Sequence, residues 1–425
     1  MKMFPLVLFC LCVILPTLSL AEETGKNWVV LVAGSNGWYN YRHQADIAHA
    51  YKILRANGIP QENIITMMYD DIAYNPRNPF PGKLFNDYAH EDVYTGIKID
   101  YRGVFVTPQM FLRVLQGDEN LKKAGKKVLD SEAEDNVFIF FSDHGAENLI
   151  SFPNGVLYAN QLVNAIKRLK NKNRFKRATI YLEACYSGSM FQDLLQDKTK
   201  TYATTAANAK ESSWATFCKD STLHTCLADD YSYKWMNDTV SFDIERRTLR
   251  EQFLAVQKAV EDSHVCEWGD DEVGGLPVAD FQAYKGSKVS ANKTKFKFIP
   301  TADKVPSHQA HLAGIMRTIM ITNNERERAN AQKKLNRALQ LKHLVEETSD
   351  DIVAEIKNKL VSSNKQHTID EELECYQTVF DAFQIKCFTI NQVPEVAHQS
   401  FRFGDLCRAG YDAEEMVHVI NDVCV

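Results

Sequence analysis

Two runs, VFIFFSDHG (137–145) and ATIYLEACYSG (178–188), decide the fold. Each opens with a near-continuous apolar stretch of β-prone residues and ends in a short polar turn carrying one reactive side chain, His144 in the first and Cys185 in the second. Between them NQLVNAIKRL (160–169) places Leu162, Ala165, Ile166 and Leu169 on one face of a helix. Strand, helix and strand make the right-handed crossover of a parallel sheet. That crossover delivers His144 and Cys185 to the carboxyl ends of neighbouring strands, where open α/β sheets carry their chemistry. A thiol beside an imidazole is a nucleophile with its base.

Working outward, Trp28–Ala33 (WVVLVA) reads as a buried strand, followed by the turn Gly34–Gly37 and the loop WYNYRHQ. Asp46–Asn57 reads as an amphipathic helix stopped by Gly58, and Asn63–Tyr69 as the next strand. Residues 70–101 form a long Pro- and Asn-rich loop of functional length. Thr107-Pro108 starts a helix with Thr as N-cap and Pro in first position. Beyond the central unit we expect a strand at Thr201–Thr205, a helix at Leu249–Ser263, and a closing strand at Val273–Phe281. The pattern predicts a mostly parallel sheet between two helical layers. From about Gly286 the chain turns polar, basic and Pro-broken, as a linker does. Two charged helices (Glu325–Leu344, Asp350–Leu360) and shorter helical pieces follow as a separate all-α unit.

Lys2, the apolar run Leu6–Leu15 and the small-x-small ending Ser19-Leu20-Ala21 form a secretory signal pattern. Its removal takes Cys10 and Cys12 and leaves eight of the ten cysteines. Cys218 and Cys226 suit a short bridged loop, and Cys375, Cys387, Cys407 and Cys424 allow three pairings. Cys266 is left as a small buried hydrophobe beside an unpaired Cys185. No cysteine or histidine pair has metal-ligand spacing, so no metal and no cofactor is expected. The chain is 45% hydrophobic and 24% charged, with a net charge of −6 and no basic stripe, which argues against nucleic-acid binding. No later run approaches transmembrane length, so no membrane anchor is expected.

SDHG after one strand, EACYSG after the next and GSNGWYNYRHQAD (34–46) near the start together resemble the legumain family, the asparaginyl endopeptidases. The local caspase signature reads Gln-Ala-Cys, where this chain has Glu183. The resemblance implies a caspase-like α/β/α sandwich with a C-terminal all-α prodomain. Its divisions are a signal peptide (1–21), a peptidase domain (22–288), a linker or activation peptide (289–323) and a helical prodomain with two disulfides (324–425). It implies a cysteine endopeptidase zymogen that cleaves after Asn, and after Asp at acidic pH. Cys185 attacks the carbonyl, His144 protonates the leaving amine and then assists water, and Asn40 orients the imidazole. Gly145 N–H, with that of Cys185, forms the oxyanion hole.

An Asn side chain offers one acceptor and two donors, so a pocket selecting it needs a cation and carboxylates together. The resemblance places Arg42, Glu183 and Asp229 there, with His43 beside them. It implies self-cleavage at Asn323 or Asn324 and tail pairings Cys375–Cys407 and Cys387–Cys424. The tail then covers the cleft until acid weakens the contact, with interface carboxylates as the expected titrating groups. The sequons at Asn237 and Asn292 are candidate glycan sites. Expected partners are protein and peptide substrates and cystatin-type inhibitors, acting on a monomer in the secretory pathway, a lysosome, an acidic endosomal or gut compartment, or the medium. Peptide ligation by the same thioester, a GPI-transamidase-type activity, and a non-enzymatic tail-borne binding role are the alternatives.

Overall fold

A computed structural model describes residues 25–195, 197–284, 297–363 and 367–424. The signal pattern and the Asn292 sequon lie outside these residues. Six strands form the main sheet: β1 (Asn27–Ala33), β2 (Ile64–Met67), β3 (Asn136–Ser142), β4 (Arg177–Glu183), β5 (Thr201–Thr205) and β6 (Cys266–Gly269). Their spatial order is β6-β5-β4-β3-β1-β2, parallel except for β6, which runs antiparallel to β5.

Both faces are covered, which is why the strands read as unbroken apolar runs rather than alternating ones. Val30, Val32, Val137, Ile139 and Phe141 face one core, which the helices Pro108–Leu115 and Ala159–Asn171 complete. Val29, Leu31, Phe138 and Phe140 face the other, against Tyr41–Ala56, Asp230–Ser241 and Leu249–Ala259. Thr107 caps its helix by accepting from Met110 N, with Pro108 in first position as expected.

Three of the expected elements need correction. The first helix starts at Tyr41, not Asp46, so Arg42 and His43 are helical and buried rather than loop residues. Val273–Phe281 is not a strand: Gly274-Gly275 and Pro277 break it into the short helices Asp271–Gly274 and Ala279–Gln282, and Cys266–Gly269 closes the sheet instead. The two charged helices are one, Glu325–Lys359, because 345–349 contains neither Gly nor Pro and Val345 and Ser349 are buried against the tail.

The tail packs Val345, Ile352 and Ile356 with Tyr376, Phe380, Phe383 and Phe403 into its own core. That core continues into Ala146, Leu149 and Tyr158, which belong to the small three-stranded sheet following His144. Disulfides join Cys218–Cys226, Cys375–Cys407 and Cys387–Cys424. Cys185 and Cys266 are free, and Cys266 is half-exposed rather than buried. Among the described residues no helix is long and apolar enough to cross a membrane.

Candidate active site

The register fixes the site. Ser142 pairs with Glu183 across β3 and β4, so His144 and Cys185 each lie two residues past the same rung, at adjacent strand ends. Asp143 N donates to Glu183 O at 3.0 Å, which holds the two turns together. A Cβ at Gly145 would stand 2.4 Å from Cys185 O, so only glycine lets the turn after His144 lie against the backbone of Cys185. Tyr186 takes a left-handed φ of 56°, which swings the chain away from Cys185 into a 3₁₀ turn at Ser187–Met190.

Asn40 and His144 meet at 2.8 Å, Oδ1 to Nε2. The Asn40 amide NH₂ donates to Asn36 O at 2.9 Å, which aims its oxygen at the ring. The ring must then carry its proton on Nε2 when neutral, leaving Nδ1 as the basic nitrogen. Cys185 Sγ lies 3.1 Å from Ser212 Oγ and 3.8 Å from Ser213 Oγ. Burial pushes the thiol up and the His144 imidazole well down, the latter aided by Arg42, His311 and His308. With the tail in place the two are therefore a neutral thiol and a neutral imidazole rather than an ion pair.

Beside them lies a buried charged notch. Arg42, fully buried, donates from Nε to Asp229 Oδ1 at 2.7 Å. Glu183 Oε2 accepts from Ser232 N at 3.0 Å and Ser232 Oγ at 2.9 Å, in the first turn of the helix Asp230–Ser241. His43 sits between Asp143 (3.1 Å) and Asp229 (3.5 Å), with Ser35 Oγ 2.6 Å from its Nδ1. Asp46 accepts from Asn86 at 2.8 Å and Ser142 at 3.2 Å behind them. Burial raises the carboxyls of Asp46, Glu183 and Asp229, and their mutual repulsion adds to it for Asp46 and Glu183. One guanidinium cannot ionise three such groups, so the cluster retains protons it would lose in water. Glu183 Oε1 and Asp229 Oδ2 have no donor in bonding geometry.

All the predicted catalytic and pocket residues thus converge. His43, Asp143 and His144 also bring one ligand atom each within 4.8 Å of one another, a grouping that sequence spacing did not suggest. Sequence reading missed Ser212, Ser213 and Ser232, which carry no local motif and reach the site only through the fold; Asp46 closes the stretch GSNGWYNYRHQAD but reads there only as the start of a helix.

The site is covered. Val305-Pro306 pairs antiparallel with Trp214–Thr216, and Ser307 Oγ accepts from Arg42 Nη2 at 2.7 Å. His308 Nδ1 lies 3.1 Å from Ser212 Oγ, and its ring packs 3.8 Å from that of His398 in the tail. Tyr186 OH meets His398 Nδ1 at 2.6 Å, and Arg408 pairs with Glu147 at 3.0 Å. Asn324 Oδ1 caps the long helix by accepting from Arg326 N and Glu327 N, and Asn323 is exposed just before it. Asn237 is half-buried, with the hydroxyl of Thr239 donating inward to Trp235 O at 3.1 Å.

Residues 27–284 match the Peptidase C13 family. The chain is 44% identical over 424 residues to the hemoglobinase of Schistosoma mansoni, covering 98% of this chain and 97% of that one. It is 38% identical to the legumain of Mus musculus, over 95% of this chain and 94% of that protein. Identity to the vacuolar-processing enzyme delta-isozyme of Arabidopsis thaliana is 33%, over 94% and 90%.

Proposed function

The chain belongs to the peptidase C13 family and is a legumain-family cysteine endopeptidase with the caspase-like α/β fold, and on that premise we propose that it cleaves after asparagine using Cys185 and His144. In this reading the Cys185 thiol gives its proton to His144 Nδ1 as sulfur attacks the scissile carbonyl. Asn40 keeps the ring in the tautomer that has Nδ1 available. The N–H groups of Gly145 and Cys185 receive the developing oxyanion. His144 returns the proton to the leaving amine, and water, deprotonated by the same ring, releases the acid product.

The observation that carries the specificity is one buried notch holding a cation and two carboxylate oxygens that lack donors. Arg42 gives a hydrogen bond to the Asn side-chain oxygen, and Glu183 Oε1 and Asp229 Oδ2 take its two N–H groups. An ionised Asp has no N–H to donate and adds a further negative charge to a buried carboxyl cluster that already holds on to protons, so Asp enters only once it is protonated. The full-length protein, after acid incubation, should cleave peptides with Asn before the bond at both neutral and acidic pH. Matched Asp peptides should be cleaved only at acidic pH, and equal rates for the two at neutral pH would remove this pocket.

We further assign the tail as the cover of a zymogen, with Asn323 as the maturation site, because Asn324 is engaged as a helix cap. Proteins and peptides are the substrates; an acidic endolysosomal, vacuolar or gut compartment suits an enzyme whose cover loosens in acid.

A further inference from the structure

Beside the nucleophile runs a loop with no part in the bond-making steps. Residues 206–213 leave the end of β5 and wrap the turn that follows Cys185. Gly188 N donates to Ala207 O at 3.0 Å, and a Cβ on Gly188 would stand 2.9 Å from Ala209 N. Tyr186 N donates to Glu211 O at 2.7 Å, and the next two residues are Ser212 and Ser213, whose hydroxyls face Cys185 Sγ. The Glu211 carboxylate ties this loop down. Its Oε1 accepts from Asn208 N at 3.0 Å and from His264 N at 2.7 Å, and its Oε2 lies 2.9 Å from His264 Nδ1. The start of the loop is pinned to the same segment, where Ser263 Oγ donates to Ala206 O at 2.8 Å.

We propose that Glu211 and His264 are positioning residues for the nucleophile: their ion pair fixes the loop that holds the Tyr186 N–H and sets two serine hydroxyls against the Cys185 sulfur. The proposal rests on the reading of Cys185 as nucleophile and adds to it what keeps the sulfur in place. Tyr186 has a left-handed φ, a conformation that persists only where its surroundings over-determine it. The peptide unit joining Cys185 to Tyr186 is hemmed on its C=O side by Gly145 and held on its N–H side by Glu211 O. A loop displaced by an ångström would therefore move both the peptide unit that carries the sulfur and the hydroxyls around it. The Glu211 carboxylate holds the His264 imidazole above its ordinary range, so the contact is charge-assisted in acid. His264 exposes 79% of its side chain, so truncating it opens no cavity, and an effect on turnover has to pass through Glu211.

The test compares His264→Ala, His264→Arg, Glu211→Gln and Glu211→Ala in the full-length chain after acid processing. Two rates are measured: steady-state cleavage of an Asn peptide, and alkylation of Cys185 by iodoacetamide, a probe too small to need the notch. His264→Ala should lower kcat and the alkylation rate together by about 10-fold, with a smaller change in KM and an unchanged melting temperature. His264→Arg, which restores a charged donor, should recover most of the loss. Glu211→Gln keeps an acceptor for both backbone N–H groups and should lose about as much as His264→Ala, whereas Glu211→Ala should lose up to about 100-fold. Adding His264→Ala to Glu211→Gln should cost nothing further, because the two share one contact. Rates within about twofold of wild type for both His264→Ala and Glu211→Gln would overturn the proposal. Losses that follow the melting temperature and are not recovered by His264→Arg would overturn it too. Wild-type protein that cleaves no Asn peptide, or is alkylated elsewhere than Cys185, would instead overturn the catalytic reading beneath it.

Discussion

At the scale of single residues the site depends on orientation more than on charge. Asn40 touches neither sulfur nor substrate, yet its bonds to Asn36 O and His144 Nε2 fix which imidazole nitrogen is free. Asn40→Ala should lower kcat by about 10–100-fold with little change in KM, and flatten the basic side of the pH profile. An unchanged kcat would show that the ring is held by something else. Arg42 carries a different risk, since its removal leaves Asp229 buried without its cation. Arg42→Ala should cost about 3–5 kcal/mol of stability as well as activity, read from a melting curve. The reactive pair was legible in the sequence because each residue ends a buried strand with a turn. Ser212 and Ser213 were not legible, because a polar residue in a loop carries no record of the sulfur it will face.

At the scale of elements, the main strands and helices followed from apolar period, while strand order did not, and the errors fell where that period is weak. Val273–Phe281 has apolar residues at strand-like density, but Gly and Pro override them. The long helix Glu325–Lys359 looked divided because its middle is polar, although buried Val345 and Ser349 face the tail there. The closing contact holds the titratable groups through which acid is expected to open the cover. Burial holds His308 down to about 3 and His311 to about 4, and lowers His398. Around them stand Tyr186 and Ser212 of the peptidase unit, Lys342 of the long helix, Arg42 beside His311, and Glu395 3.7 Å from His311. A released imidazole titrates near 6.5, so the open state binds more protons as pH falls below that value. Closure is then fully stable above about 6.5 and loses about 2 kcal/mol for each of His308 and His311 by pH 5, with His398 acting in the same direction. Glu147, Asp381 and Glu395 have the opposite sign: burial raises them, so they take up protons more readily when closed and acid favours closure through them. From these directions we expect the imidazoles, rather than the interface carboxylates, to favour release in acid. His398→Gln should move the onset of processing to lower pH by several tenths of a unit, measured by gel after timed incubations. It should leave the pH profile of processed protein unchanged; an unmoved onset would return the role to the carboxylates.

At the scale of the whole molecule, the peptidase unit and the tail share one apolar core around Ala146, Leu149 and Tyr158, so the cover is packed on and not merely tethered. The 12-residue helix Ala310–Ile321, about 18 Å long, lies between the Ser307 contact with Arg42 and exposed Asn323. A closed molecule holds Asn323 away from its own Cys185, so the first cut there should come from a second copy whose cover has opened. The initial rate should rise with the square of protein concentration, and a rate that is first order would mean the chain opens and cuts itself. This division of labour was only half visible in the sequence: the linker's Pro-broken polarity showed a connector, while its pairing with Trp214–Thr216 depends on an edge that exists only after folding. The account's central claim is that the thiol beside the charged notch is the nucleophile for asparagine. Its most direct test is intact-mass and peptide mapping of the acid-processed protein after exposure to a peptide electrophile ending in Asn. The account predicts one adduct, on Cys185, none with the Ala counterpart, and Cys266 unmodified. Labelling at Cys266, or equal labelling by both peptides, would contradict it.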